Sequence, residues 1–189
     1  MKTPLIALAV LAFASSAPAA IILFDLIGTG GAGLLTTNEP TPPAVGGSGG
    51  EILGGITFND LTLSLSIDVG WGSSQGFTNL SSVANGSHLH GPTTNNNGNN
   101  GTANWRQTAG VLFSLTRSSD AVTGGQISQS LTLTAAQQTD LYNGKYYINV
   151  HTATNGGGEI NGFLTRVPEP TTGLLGMVTV GLLGLRRRR

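Results

Sequence analysis

The chain has three histidines, His88, His90 and His151, and no cysteine. Thiolate metal sites, disulfides and thioether-attached haem are therefore excluded, and imidazole is the strongest ligand the sequence offers. His88 and His90 are two residues apart, so an extended backbone turns both rings to one face. Around His151 the same alternation sets Tyr146, Ile148 and Val150 on one face and Tyr147, Asn149 and His151 on the other. If that second face meets the His88–His90 face, three imidazoles converge, a set that suits copper or zinc with one position open. The structural alternative is that each ring hydrogen-bonds a loop carbonyl or braces the turn ahead of Pro92. Glu159 is the accompanying carboxylate. It is a fourth ligand, a partner orienting His151, or a cap on the N–H groups of the glycine-rich hairpin around it.

Other chemistry-like patterns lack the elements they need. Gly28, Gly30 and Gly33 spell G-x-G-x-x-G, but a dinucleotide site requires a helix next, and Pro40, Pro42 and Pro43 follow instead. Residues 46–50 spell G-x-S-x-G inside flexible glycine sequence, without the strand and helix of a nucleophile elbow. The asparagines at 95–100 bring amide oxygens without carboxylate charge, which calcium sites normally need. No catalytic constellation remains, and a non-enzymatic protein is expected. Trp71, Phe77 and Trp105 either stack on sugar rings or belong to the core.

The positioning elements are short strands. Residues 21–27 read as a first strand and 28–50 as a loop rich in Gly, Pro and Thr. Leu61, Leu63, Leu65, Ile67 and Val69 alternate with polar residues, the period of a half-buried strand. Ile56 and Phe58 lie on the strand before it, across a turn at Asn59-Asp60. Further strands are expected at 110–117, 126–133, 145–152 and 159–166. Thr134 to Gln137 has the form of a capping box opening a short helix that ends at Asn143-Gly144. About seven strands and one short helix predict an all-β fold, an antiparallel β-sandwich or barrel-like domain.

The two ends read as addresses. Lys2, the apolar run 5–14 and Ala17-Pro18-Ala19 have the order of a secretory signal peptide, residues 1–19. At the other end Pro168-Glu169-Pro170 precedes an uncharged stretch, 171–185, and Arg186 to Arg189. As a transmembrane helix that stretch would span roughly 22 Å, short of a ~30 Å hydrocarbon core, and snorkelling arginines can cover part of the deficit. The arginine excess keeps the tail's end cytoplasmic and the domain, 20–166, outside. Eight carboxylates face four cations within that domain, a net −4, so no nucleic-acid partner is expected.

Residues 167–189, with Pro168, Glu169 and Pro170, the short span and the arginine run, resemble the PEP-CTERM sorting signal of Gram-negative bacteria. That resemblance implies processing by an exosortase near the Pro-Glu-Pro motif, a passing inner-membrane anchorage, and an association with exopolysaccharide. The ordered set His88-Leu89-His90-Gly91-Pro92, then Leu141, Gly144 and Tyr146 to Thr152, then Gly158-Glu159-Ile160, Gly162 and Leu164 resembles the CHRD domain. Trp71-Gly72, Gly76-Phe77 and Leu80 fit its upstream part, and the asparagine-rich 93–101 departs from it. The resemblance implies an extracellular interaction module without an established enzymatic activity. The function expected is thus an exported envelope or extracellular-matrix protein. The alternatives are a three-histidine copper or zinc protein, for which the His-x-His strand is similar in architecture to that of copper–zinc superoxide dismutases, and a homotypic adhesion module.

Overall fold

The computed structural model describes residues 20–94, 104–118 and 123–168. The expected signal peptide, most of the asparagine-rich stretch, Glu169, Pro170 and the expected membrane span lie outside those residues. Ten strands form one antiparallel sheet: β1 Ile21–Gly28, β2 Gly31–Ala32, β3 Leu34–Leu35, β4 Ser48–Asn59, β5 Ser64–Trp71, β6 Ala84–His90, β7 Val111–Ser114, β8 Gly125–Thr132, β9 Tyr147–Thr152 and β10 Ile160–Arg166. Among the described residues one α-helix, α1 Ala135–Tyr142, joins β8 to β9.

The main strands run in the order β7-β6-β9-β10-β1-β4-β5-β8. β1 is where the sheet turns over. Ile21 to Phe24 pair with β4, and Phe24 to Ile27 pair with β10. Its alternation puts Ile22, Phe24 and Leu26 inside and leaves Ile21 and Leu23 exposed. The sheet thus folds on itself as a sandwich around Phe58, Leu65, Ile67 and Ile127 from one layer and Leu89, Ile148, Val150 and Leu164 from the other. The layers also meet at their far edges. Past β7, Ser118 donates its N–H to the Gln126 carbonyl at 2.9 Å, and its hydroxyl accepts from the Gln126 N–H at 3.1 Å.

The helix begins as expected. The Thr134 hydroxyl accepts from the Gln137 N–H, and the Gln137 side chain accepts from the Thr134 N–H. Asn143 is its C-cap, and Gly144 follows at φ 64. Tyr142 meets Phe58 edge-on, so α1 closes one end of the core.

Several expectations are corrected. Among the described residues there are ten strands against the expected seven or so, because β2, β3 and β6 are added. Residues 28–50 are not simply a loop: the buried Asn38 donates from Nδ2 to the carbonyls of Gly33 and Asn161, 3.1 and 3.0 Å away, and ties β3 to β10. Leu61 and Leu63 do not continue the alternation of β5. The Asn59 carboxamide oxygen accepts from the N–H groups of Leu61 and Thr62, each at 3.0 Å. That bond winds a wider turn, which throws Leu61 out to 72% exposure and places Leu63 at φ 56. Trp71 is fully buried and is a core residue, not a sugar-stacking surface. Among the described residues no helix is long and apolar enough to cross a membrane.

Candidate functional site

The site lies on the outer face of the β6-β9-β10 layer. Antiparallel pairing sets His88 opposite Asn149, His90 opposite Tyr147 and Gly86 opposite His151. Asn149 and Tyr147 in turn face Asn161 and Phe163 of β10. Side chains of one parity share this face. Ser87, Leu89, Ile148 and Val150 point the other way, into the core. The three histidines expected from their spacing are therefore brought together, with one ring nitrogen of each within 4.8 Å of the others.

Two loops fix the ring orientations. The His90 Nδ1–H donates to the Ala109 carbonyl at 2.9 Å. The His151 Nδ1–H donates to the Gly156 carbonyl at 3.0 Å. Both rings must then carry their lone pair on Nε2. The His88 Nδ1–H donates to the His151 Nε2 at 3.0 Å. The Nε2 of His90 is buried and has no hydrogen-bond partner among the described residues. Gly86 gives the cluster room: a Cβ there would stand 3.3 Å from His151 Cδ2 and 3.4 Å from His88 Cε1, close enough to press lightly on both rings.

The electrostatics favour neutral rings. Burial is the first cause that lowers the His88 pKa, followed by the charges His151, His90 and Arg117 would place on it. Burial also lowers His90, against the hydrogen bonds it gives to the Ala109 and Gly110 backbone. His151 is lowered by burial and by His90 and Arg117, against its bond to Gly156.

Beyond His90 the face continues as an aromatic row. His90 stacks on Tyr147 at 4.9 Å and 5°, Tyr147 lies against Phe163, and Trp105 meets Phe163 edge-on. Trp105 is half-buried there. Phe77, also half-buried, lies away from this face against Gly50.

Next to this row opens a cleft of about 670 Å³, between the proline-rich segment 39–43, the turn 154–158 and β9. Its floor holds Tyr147 and Asn149, and Glu39 forms an inner wall. Glu39 is 3% exposed, and burial pushes its carboxyl pKa from 4.5 up to about 8, so the group is a neutral acid at pH 7. Glu39 Oε1 and Asn149 Oδ1 are buried without hydrogen-bond partners among the described residues. Gly158, at φ 131, closes the turn here because a Cβ would come within 2.7 Å of Glu39 Oε1 and 2.3 Å of Asn149 Nδ2. Arg106 clamps the segment by donating to the carbonyls of Glu39 and Pro40 at 3.2 and 3.3 Å.

Glu159 lies elsewhere and is not in the histidine cluster. Its carboxylate accepts from the N–H groups of Gly47 and Ser81, the hydroxyls of Ser81 and Thr152, and the amide of Asn155. Burial alone would raise its pKa, but these donors outweigh it and hold the group below the usual carboxylate range. It does cap N–H groups, but those of Gly47 and Ser81 from distant segments and not those of its own hairpin, which supplies only the Thr152 hydroxyl and the Asn155 amide. Glu39 and Asn149 were missed as site residues. Asn149 shares the parity of Tyr147 and His151, which is a usable signal. Glu39 sits among prolines and threonines with no pattern to mark it.

No curated protein and no solved structure matches the chain. The family model described as the CHRD domain matches residues 32–164, from β2 to the middle of β10. That span takes in both histidine strands, the proline-walled cleft and the Glu159 knot, and the chain belongs to the CHRD domain family.

Proposed function

We propose that this protein is an exported, non-enzymatic envelope or matrix component. Its CHRD domain is an interaction module that takes a carbohydrate ligand, of the exopolysaccharide class, in the cleft beside Tyr147. The observation that carries this reading is the pair of unpartnered oxygens, Glu39 Oε1 and Asn149 Oδ1, buried just behind the lining of an open cleft. An unpartnered buried oxygen costs roughly 1–3 kcal/mol, a cost that a ligand hydroxyl removes once side-chain rotation turns the oxygen into the cleft. The neutral Glu39 acid can itself donate, so the wall presents both donor and acceptor to vicinal hydroxyls without a net charge. Pro42 and Pro43 supply apolar walls for the C–H faces of a sugar ring. The CHRD family type and the segments at the two ends support an extracellular setting, with export by the signal peptide and exosortase processing at Pro168-Glu169-Pro170.

The test is calorimetric titration of the protein with exopolysaccharide purified from the producing cells. Asn149→Ala and Glu39→Ala should each weaken binding about tenfold. Absence of binding, or binding that both variants retain in full, sinks the carbohydrate reading.

A further inference from the structure

The histidine cluster has features that a bracing role does not explain. Hydrogen bonds from His90 to Ala109 and from His151 to Gly156 would suffice to hold two loops. They do not account for the His90 Nε2, which is buried and unpartnered on a residue only 8% exposed. Nor do they account for a third ring placed with its Nδ1 3.0 Å from the His151 Nε2, across a position kept bare by Gly86. Buried polar atoms are normally satisfied, and an orphan among converging imidazoles points to a missing partner that accepts lone pairs.

We propose that His88, His90 and His151 form a mononuclear copper site, with Nδ1 of His88 and Nε2 of His90 and of His151 as the three ligands. Metal–nitrogen bonds of about 2.0–2.1 Å set ligand nitrogens roughly 3.4 Å apart in a tetrahedral site. His88 Nδ1 is 3.0 Å from His151 Nε2, and one ring nitrogen of each of the three histidines lies within 4.8 Å of the others, so ring rotations on adjacent, paired strands close the set. His88 must move its ring proton from Nδ1 to Nε2 to bind, a change of tautomer without change of charge. The other two rings are already in the required tautomer. An Nδ1–H held by a backbone carbonyl is the arrangement that orients imidazole ligands in metal sites.

The donor set selects the metal. Among the described residues no carboxylate belongs to the cluster, and the chain has no thiolate, so hard magnesium, calcium and manganese are disfavoured. Among divalent first-row ions an imidazole site holds copper most tightly, above zinc. Three protein ligands leave the remaining positions to water or another small ligand. This proposal is independent of the carbohydrate reading: His90 borders both places, but the cleft oxygens belong to Glu39 and Asn149.

Full-length protein, stripped with chelator, is titrated with Cu(II) at neutral pH and then challenged with equimolar Zn(II). One equivalent of Cu(II) should bind and should resist zinc. Its electron paramagnetic resonance spectrum should carry superhyperfine lines from three nitrogens. His88→Gln and His151→Gln should each weaken copper binding about 100-fold or more while keeping the far-ultraviolet dichroism of the parent. Fewer than three coupled nitrogens in the parent protein overturns the assignment, and this readout does not depend on any variant folding. Displacement of the copper by equimolar zinc, or unchanged uptake in both folded variants, overturns it too.

Discussion

Glu39 and Glu159 are both buried, yet only Glu159 is met by donors. Five groups give it hydrogen bonds and it stays ionised; Glu39 has an orphaned oxygen and keeps its proton to about pH 8. Their effects on stability have opposite signs. Glu39 has a folded pKa raised above its unfolded 4.5, so its contribution is fully present below that value and is lost as pH rises toward about 8. Glu159 has a lowered pKa, so what it contributes is present above 4.5 and lost as pH falls through its folded value. Glu39→Gln carries no titrating proton. Relative to the parent, it should therefore gain up to a few kcal/mol of stability between about pH 4.5 and 8. Urea unfolding at pH 5 and pH 8 measures this. A difference between the two proteins that does not change with pH would show that Glu39 is ionised in the fold.

At the level of elements, legibility followed the range of the interaction. Local signals were readable: the Thr134–Gln137 capping box, the alternation of Leu65, Ile67 and Val69, and the parity that sets Tyr147 and His151 on one face. Interactions that reach across the chain were not. Asn38 turns part of an apparent loop into the link between β3 and β10, 123 residues away. Trp71 lies at the end of a strand and is drawn fully inside by layers it meets only after folding. Gly91 belongs with these. In sequence it reads as turn punctuation, but in the fold it sits at φ 143, and an added Cβ would lie 2.3 Å from Tyr146 Cδ1 and 2.8 Å from the Lys145 carbonyl. Gly91→Ala should thus cost about 2–4 kcal/mol, through both the backbone conformation and the overlap with backbone beside it. Thermal denaturation reads the loss; a change under about 0.5 kcal/mol would mean that β6 can shift to admit a methyl group.

For the whole molecule, the orientation follows from its ends. On the function proposed above, the expected signal peptide ahead of residue 20 and the expected arginine-terminated span after Pro168 would place the domain outside the inner membrane. A periplasm-dependent reporter fused after Arg166 should be active, and one that works only in the cytoplasm reverses the topology. Glu169→Ala should leave full-length protein in the inner membrane, as mass spectrometry of the membrane fraction would reveal. Finding Arg189 on the mature exported form of the parent would show that no cleavage takes place.

The pairing of β1 with β10 brings the two ends of the domain out at one pole. Arg166 lies opposite Phe24, and the Val167 N–H donates to the Leu23 carbonyl at 2.9 Å, two residues from the start of β1. The histidine cluster is centred on His88, level with Asn149, which faces Asn161, five residues back along β10 from Arg166. At about 3.3 Å per residue that is roughly 16 Å from the exit point, toward the opposite pole. If the proposed C-terminal anchor follows Pro168, the candidate site lies toward the end of the domain away from the attachment. On that reading the site would be as open to a ligand on an anchored protein as on a released one, so severing the tail would change where the protein can go and leave what it can hold the same.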